Sequence, residues 1–423
     1  MSSKIKTITA REVMSKRGTP GVETTVVTED GSTGTAIVTS GTSFGEHEVV
    51  FIYDGGKRWR GLGVQRAVEN VNSIIAPALK GMDASNQRAI DETLIRLDGT
   101  PNKSRLGGNA TASVSAATLQ AAAESLGTPL YQHIGGVNAS ILPVPGVTAF
   151  LGSNRYGEAK RAGEKPSYSF IAYGFSNFSE ASYACWEVRK EFGEILLRRF
   201  NLRVPMALYT LPYFPPGKVD HDKDLWDAMT DAIESMGFKS RVGIQVDAAA
   251  GTYYDKDKDR FIDLFSKGEK TKEDLIELYK DAVRDYPFII IEDPLDENDY
   301  EGHAILTAEL GIQVVGDDLF TTNMERLQRG IDMGACNAII LKVNQVGTIS
   351  EAFDTVQLAH RNGYAVMPCN SRGEGPEIAD YAVGLNTGQM REGGMDDATN
   401  RLLEIEIELG KRARFLGKAA FKT

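Results

Sequence analysis

Five apolar runs in the second half of the chain end in residues able to do acid, base or metal chemistry. The run at 242–246 leads into Asp247, the run at 288–291 into Glu292 and Asp293, and the run at 312–315 into Asp317 and Asp318 after one glycine. The run at 338–341 leads into Lys342, and that at 364–367 into Pro368-Cys-Asn-Ser-Arg372. Asp247 and Glu292 stand 45 residues apart; Glu292, Asp317 and Lys342 follow one another at 25, the length of a strand, a loop and a helix. Successive strands therefore deliver charged groups to one end of a parallel sheet. Three carboxylates gathered there repel one another and raise each other's pKa. A hard divalent cation with oxygen ligands resolves that conflict, and Mg²⁺ suits an open carboxylate set that leaves positions for substrate. A lysine arriving on the next strand, partly desolvated beside a metal, is able to lose its proton and act as a base. The chemistry these residues point to is metal-assisted abstraction of a proton α to a carboxylate, followed by β-elimination.

Other charged groups have plainer readings. Asp293 precedes Pro294 and reads as a helix N-cap, and Asp318 is open to the same reading. Asp255-Lys-Asp-Lys-Asp259 imitates the start of a calcium loop, but Arg260 stands where glycine is needed and Ser266 where a bidentate glutamate belongs, so a surface hairpin is expected. The five histidines lack paired zinc spacing. Gly61-Leu-Gly63 lacks a third glycine and does not follow a strand, which leaves no dinucleotide fingerprint.

The elements that must position the charged groups follow from the pattern. Residues 5–14 and 22–28 are rich in β-branched side chains, and Glu29-Asp-Gly31 is a turn signal before 34–38. Helical patterns follow at 64–78, 84–97 and 109–126, the last closed by Gly127 and Pro129. Residues 1–136 read as an α+β domain. From about Leu142 short apolar runs alternate with amphipathic helices, the rhythm of βα units. Residues 137–423 read as one α/β barrel of the (β/α)8 TIM type, with the charged strand ends at its C-terminal mouth. An open doubly wound sheet is the alternative.

Composition narrows the function. The 423 residues are 42% hydrophobic and 25% charged, as in an ordinary globular protein. Acidic residues outnumber basic ones, 58 to 47, which argues against a nucleic-acid surface. An anionic substrate then needs a cation or a local basic pocket. No run of about 18 apolar residues suggests a membrane span, and the start carries no apolar leader. The scattered Cys185, Cys336 and Cys369 fit no disulfide framework, and a cytoplasmic location is expected.

Several stretches resemble the enolase (phosphopyruvate hydratase) family. They include Ala10-Arg-Glu-Val-Met-Ser-Lys-Arg-Gly-Thr-Pro20, Ala67-Val-Glu-Asn-Val-Asn-Ser-Ile-Ile-Ala-Pro77 and Pro129-Leu-Tyr-Gln-His-Ile134. In the barrel Ile291-Glu-Asp-Pro294, Gly316-Asp-Asp-Leu319 and Leu341-Lys-Val-Asn-Gln-Val-Gly-Thr348 are highly specific. The resemblance implies an enolase-type barrel behind a smaller N-terminal domain, two Mg²⁺ per active site, a small anionic carboxylate substrate, and a homodimer or higher homo-oligomer. It implies Asp247, Glu292 and Asp317 as ligands of the first metal, Ser43 on a closing lid as a helper of the second and a substrate contact, and Lys342 as the base. The rest of the family pattern is altered. The Asp-Glu-Gly-Gly motif that supplies the acid is absent, and that region reads Tyr209-Thr-Leu-Pro-Tyr-Phe-Pro-Pro-Gly217. The companion Gln-Glu pair becomes Pro166-Ser167, and the loop histidine becomes Asn154. The Ser-His-Arg-Ser-Gly-Glu motif reads Cys369-Asn-Ser-Arg-Gly-Glu374, which leaves Asn370, Ser371 and Arg372 as substrate contacts, and the substrate-binding lysine becomes Arg391. Because the metal and base half survives while the acid and substrate half is changed, the expected activity is a lyase acting on a phosphorylated or phosphonylated hydroxycarboxylate with a different leaving group. Dehydration of 2-phosphoglycerate itself and a non-catalytic binding protein are the competing readings.

Overall fold

The structure, a computed structural model, describes residues 2–39, 45–152, 155–156, 165–203, 214, 217–369, 372 and 375–423. The N-terminal part is an antiparallel meander of β1 (Ile5–Met14), β2 (Pro20–Thr28) and β3 (Thr33–Val38). Helix α1 (Gln87–Asp98) packs on helix α2 (Gly108–Ser125), and α2 covers the inner face of the meander. Alanine and serine make α2 thin, and it is buried on nearly every face between the meander and the rest of the molecule. Gly34 permits that approach: a Cβ there would meet the Ala117 carbonyl oxygen at 2.0 Å.

The barrel strands are β4 (Val144–Leu151), β5 (Ser167–Ala172), β6 (Val242–Asp247), β7 (Phe288–Glu292), β8 (Gln313–Gly316), β9 (Ala338–Leu341), β10 (Ala365–Pro368) and β11 (Gln389–Gly393). They form one eight-stranded sheet in the order β10-β9-β8-β7-β6-β5-β4-β11, and a bridge between Cys369 and Arg391 joins its two edges into a ring. Helices α3 (Phe178–Phe200), α4 (Lys223–Ser235), α5 (Lys272–Asp285), α6 (Tyr300–Leu310), α7 (Met324–Met333), α8 (Ile349–Arg361), α9 (Glu377–Gly384) and α10 (Asp397–Leu409) accompany the strands. Caps mark their starts: Thr271 and Asp274 close a capping box on α5, and Thr348 accepts the Glu351 N–H on α8.

The βα rhythm suggested parallel strands throughout, and β5 departs from it. It pairs antiparallel with β4 and with β6, and two helices, α3 and α4, fill the connection to β6. The start of β5, rather than its end, therefore lies at the mouth.

The interior of the ring is filled by Val144, Ile171, Ile290, Val315, Ala338, Ile340, Ala365 and Met367. A larger core lies between strands and helices, where Phe150 stacks on Tyr168 at 4.6 Å and meets Phe192 and Phe214. Each such aromatic pair adds about 0.5–1.5 kcal/mol beyond area burial. The stretch at 255–259 is the turn of a surface hairpin between Tyr254–Asp255 and Arg260–Ile262. The three cysteines are buried and unbridged. Among the described residues no helix is long and apolar enough to cross a membrane.

Candidate active site

Strand side chains alternate between two faces, so residues two apart share one. Ile290, Val315, Ile340 and Met367 point into the barrel, and two residues further on stand Glu292, Asp317, Lys342 and Cys369 at its mouth. Register puts the neighbouring groups level: Glu292 pairs with Asp247, and Asp247 with Ser167. Arg391, bridged to Cys369, completes the circle.

These groups are buried and tightly paired. Lys342 Nζ donates to Asp317 Oδ2, and Gln345 Nε2 donates to Asp317 Oδ1 at 2.9 Å. Arg391 reaches Asp247 Oδ2 at 2.5 Å, Glu292 Oε2 at 3.1 Å and Ser167 Oγ at 3.2 Å. Gln245 Nε2 donates to Glu292 Oε2 at 2.8 Å. Lys165, just before β5, pairs with Asp247 as well. Arg372 holds Glu48, with Nη1 donating to Oε2 at 2.6 Å, and Gly45 N donates to the same carboxylate at 3.1 Å.

The pairing sets the proton affinities. Burial works against the Lys342 ammonium, but the Asp317 carboxylate outweighs it and holds the lysine above its ordinary value. The expectation of a lysine able to lose its proton was for one beside a metal; with Asp317 as its direct partner the ammonium is favoured. Burial also works against the Asp317 carboxylate, yet Lys342 and Arg372 hold it well below the usual range. Burial, with Arg391 nearby, lowers Lys165 to about 8. Asp318 is pushed up to about 7 by burial and by the charge of Asp317.

Asp293 is not a helix cap. Helix α6 is capped by Asp299, whose side chain accepts the Gly302 N–H. Asp293, with φ 44°, instead accepts the backbone N–H groups of Asp317 at 3.0 Å, Asp318 at 2.8 Å and Leu319 at 3.4 Å. It ties the end of β7 to the turn after β8, which carries Asp317. Its burial, followed by the repulsion of Asp318, raises its pKa far above the carboxylate range.

The donor set suits a hard cation. Asp247, Glu292 and Asp293 each offer an oxygen within 4.8 Å of the others, and Asp293, Asp317 and Asp318 form a second such group. Asp247 Oδ1 and Glu292 Oε1 are buried and accept no hydrogen bond from any described residue, as expected of oxygens meant for an ion. The three ligands expected from sequence thus fall into two overlapping groups that share Asp293.

Of the expected site residues, Asp247, Glu292, Asp317, Lys342 and Arg391 converge on the mouth, and Arg372 lies against Glu48 and draws on the charge of Asp317. Ser43, Asn154, Asn370 and Ser371 lie outside the described residues, as does most of the altered stretch at 209–217; Phe214 within it is buried against Phe150 and Phe200. Sequence reasoning missed Lys165, Glu48, Gln245 and Gln345. Gln245 and Gln345 could have been found from their spacing, one two residues before Asp247 and the other three after Lys342. Lys165 and Glu48 had no such signal.

Two family models match the chain: the enolase N-terminal domain over residues 5–134 and the enolase C-terminal TIM barrel domain over residues 140–423. Similar proteins include an enolase of Methanopyrus kandleri, 44% identical over 97% of each chain, and one of Methanocaldococcus jannaschii, 44% identical over 96% of each. An enolase of Bifidobacterium adolescentis is 40% identical over 99% of this chain and 98% of its own. The chain belongs to the enolase family and is a carbon–oxygen lyase of that superfamily.

Proposed function

We propose that the chain dehydrates 2-phosphoglycerate to phosphoenolpyruvate, with Lys342 as the base. The observation that carries this reading is the placement of Lys342 Nζ beside Asp317, level with Asp247 and Glu292, on adjacent barrel strands. This reading of the substrate replaces the expectation of a different leaving group, because full-length relatives at 40–44% identity are named enolases.

In this reading Asp247, Glu292 and Asp317 hold the first Mg²⁺, and Ser43 takes part in holding a second. When bound, the metal stabilises the dianion formed on proton loss and draws off the Asp317 charge that keeps Lys342 protonated. Lys342 Nζ takes the proton from the carbon next to the carboxylate. Arg391 and Arg372 supply counter-charge to the anionic substrate, with Asn154, Asn370 and Ser371 as further contacts. The bond from the β-carbon to the hydroxyl breaks as the enol double bond forms, the leaving hydroxide takes a proton from solvent to give water, and Lys342 returns the α-proton to solvent. The division at residue 136, a homodimer and a cytoplasmic location are parts of the same proposal.

The test is ultraviolet detection of the enol product from 2-phosphoglycerate with Mg²⁺. Pure protein that gives no enol product removes the reading. A second reading, a substrate with a better leaving group, is favoured by Ser167. This hydroxyl faces the mouth and receives Arg391, where the family pattern has a carboxylate. Lys342-dependent solvent-deuterium exchange into another phosphorylated hydroxy acid, without turnover of 2-phosphoglycerate, would select it.

A further inference from the structure

Lys165 is the one cation at the mouth, among the described residues, that neither the strand-end spacing nor the family pattern foretold. Its position is built. The antiparallel course of β5 turns the start of that strand to the mouth, and Lys165 stands two residues before Ser167, with its ammonium against Asp247. Its backbone carbonyl accepts the Tyr253 hydroxyl at 2.5 Å. Gly152 packs against the same carbonyl so closely that a Cβ would come within 2.8 Å. The side chain is 12% exposed and its ammonium is paired with Asp247 Oδ2, the same oxygen that Arg391 meets at 2.5 Å.

Two cations thus share one carboxylate oxygen. A divalent cation bound at Asp247 and Glu292 competes with both for that charge. Lys165 and Arg391 are then left buried without an adequate partner, which is costly unless another anion arrives. We propose that Lys165 is a substrate-binding residue that exchanges Asp247 for an anionic group of the substrate, acting with Arg391 as a two-cation clamp on a phosphorylated carboxylate. The inference rests on the lyase reading for its substrate, but its metal consequence does not.

The experiment uses the full chain and compares wild type with Lys165→Met, Lys165→Gln and Lys165→Arg. Mg²⁺ binding is measured by calorimetry without substrate. Loss of the competing ammonium tightens Mg²⁺ binding in Lys165→Met by roughly 3- to 10-fold, whereas a lysine that only props Asp247 in place gives weaker binding on removal. With Mg²⁺ saturating, the same variant raises KM for 2-phosphoglycerate by about 10-fold or more with a smaller change in kcat. Lys165→Arg returns KM to within about 3-fold of wild type. Should Lys165→Met fail to fold, Lys165→Gln carries both measurements. Unchanged or weaker Mg²⁺ binding overturns the assignment, as does an unchanged KM. If wild type neither binds nor converts 2-phosphoglycerate, the proposed function falls. Lys165 is then judged by the Mg²⁺ titration and by inorganic phosphate binding to the Mg²⁺-loaded protein, which must weaken in Lys165→Met.

Discussion

The mouth of the barrel has two halves that hold their residues by different means. Asp247, Glu292, Asp317 and Lys342 sit at the ends of β6 to β9, on neighbouring strands whose hydrogen bonds set their heights. The opposite half, where Arg372, Arg391, Lys165 and Ser167 lie, draws on the antiparallel strand β5, the closing bridge at Cys369 and the connections around the barrel. The half on parallel strands holds the residues that the resemblance implies for metal and base, and the other half holds those where it implies substitutions. The contrast teaches where this scaffold tolerates change. Ser167 and Arg391 are themselves on barrel strands, so what separates the halves is direction and closure: parallel neighbours set the first, and the antiparallel β5 and the seam at Cys369 set the second.

The largest effect should come from the half on parallel strands. Lys342→Ala should lower α-deuterium exchange and enol formation by about 10²–10⁴-fold, the range of a general base; retained exchange would remove the assignment. Next is the support behind the other half. Asp222 is fully buried and accepts Arg155 Nε at 3.0 Å, Arg155 Nη2 at 2.8 Å and the Tyr168 hydroxyl at 2.6 Å. Asp222→Ala should cost about 3–5 kcal/mol in urea unfolding, because it strands a buried guanidinium; a loss under about 1 kcal/mol would show that the pair is dispensable. Asp247→Ala should abolish the rise in Tm on adding Mg²⁺, and an undiminished rise would place the metal elsewhere. Arg391→Lys, which keeps the charge but loses the fork that reaches Asp247, Glu292 and Ser167, should raise KM for substrate by roughly 10-fold with Mg²⁺ saturating.

The smallest effect concerns a group far from this contrast. His303 on α6 is buried, its Nδ1 lies 2.7 Å from the Asp299 carbonyl oxygen, and burial lowers its pKa from 6.5. The folded chain therefore binds a proton there less readily than the unfolded chain. Its stabilising contribution is complete above about pH 6.5 and is lost as pH falls below that value. The fall in Tm between pH 7 and pH 5 should shrink in His303→Gln, and an equal fall in the variant would exclude this histidine as a source.

The same two halves explain what could be read without coordinates. The charged residues at the strand ends were legible because a strand has a two-residue period and a βα unit repeats at a nearly constant length. Asp293 was misjudged because Asp-Pro is a common helix start, yet its carboxylate turned back to the β8 turn, 24 residues along the chain. Lys342 was legible at the mouth, but the balance of Asp317 against burial at its ammonium was not, since that balance depends on their contact. Glu48 was out of reach because its partner Arg372 lies 324 residues away.

By itself the sequence determined the barrel, the end of it that carries the chemistry, and four of the residues gathered there, because strand alternation and repeat length are local properties. Only the tertiary structure decided that β5 runs backwards, that Lys165 joins Arg391 on Asp247, and that Glu48 reaches across to Arg372. Strand direction and buried ion pairing are settled by which surfaces meet, and no short window of sequence contains both partners.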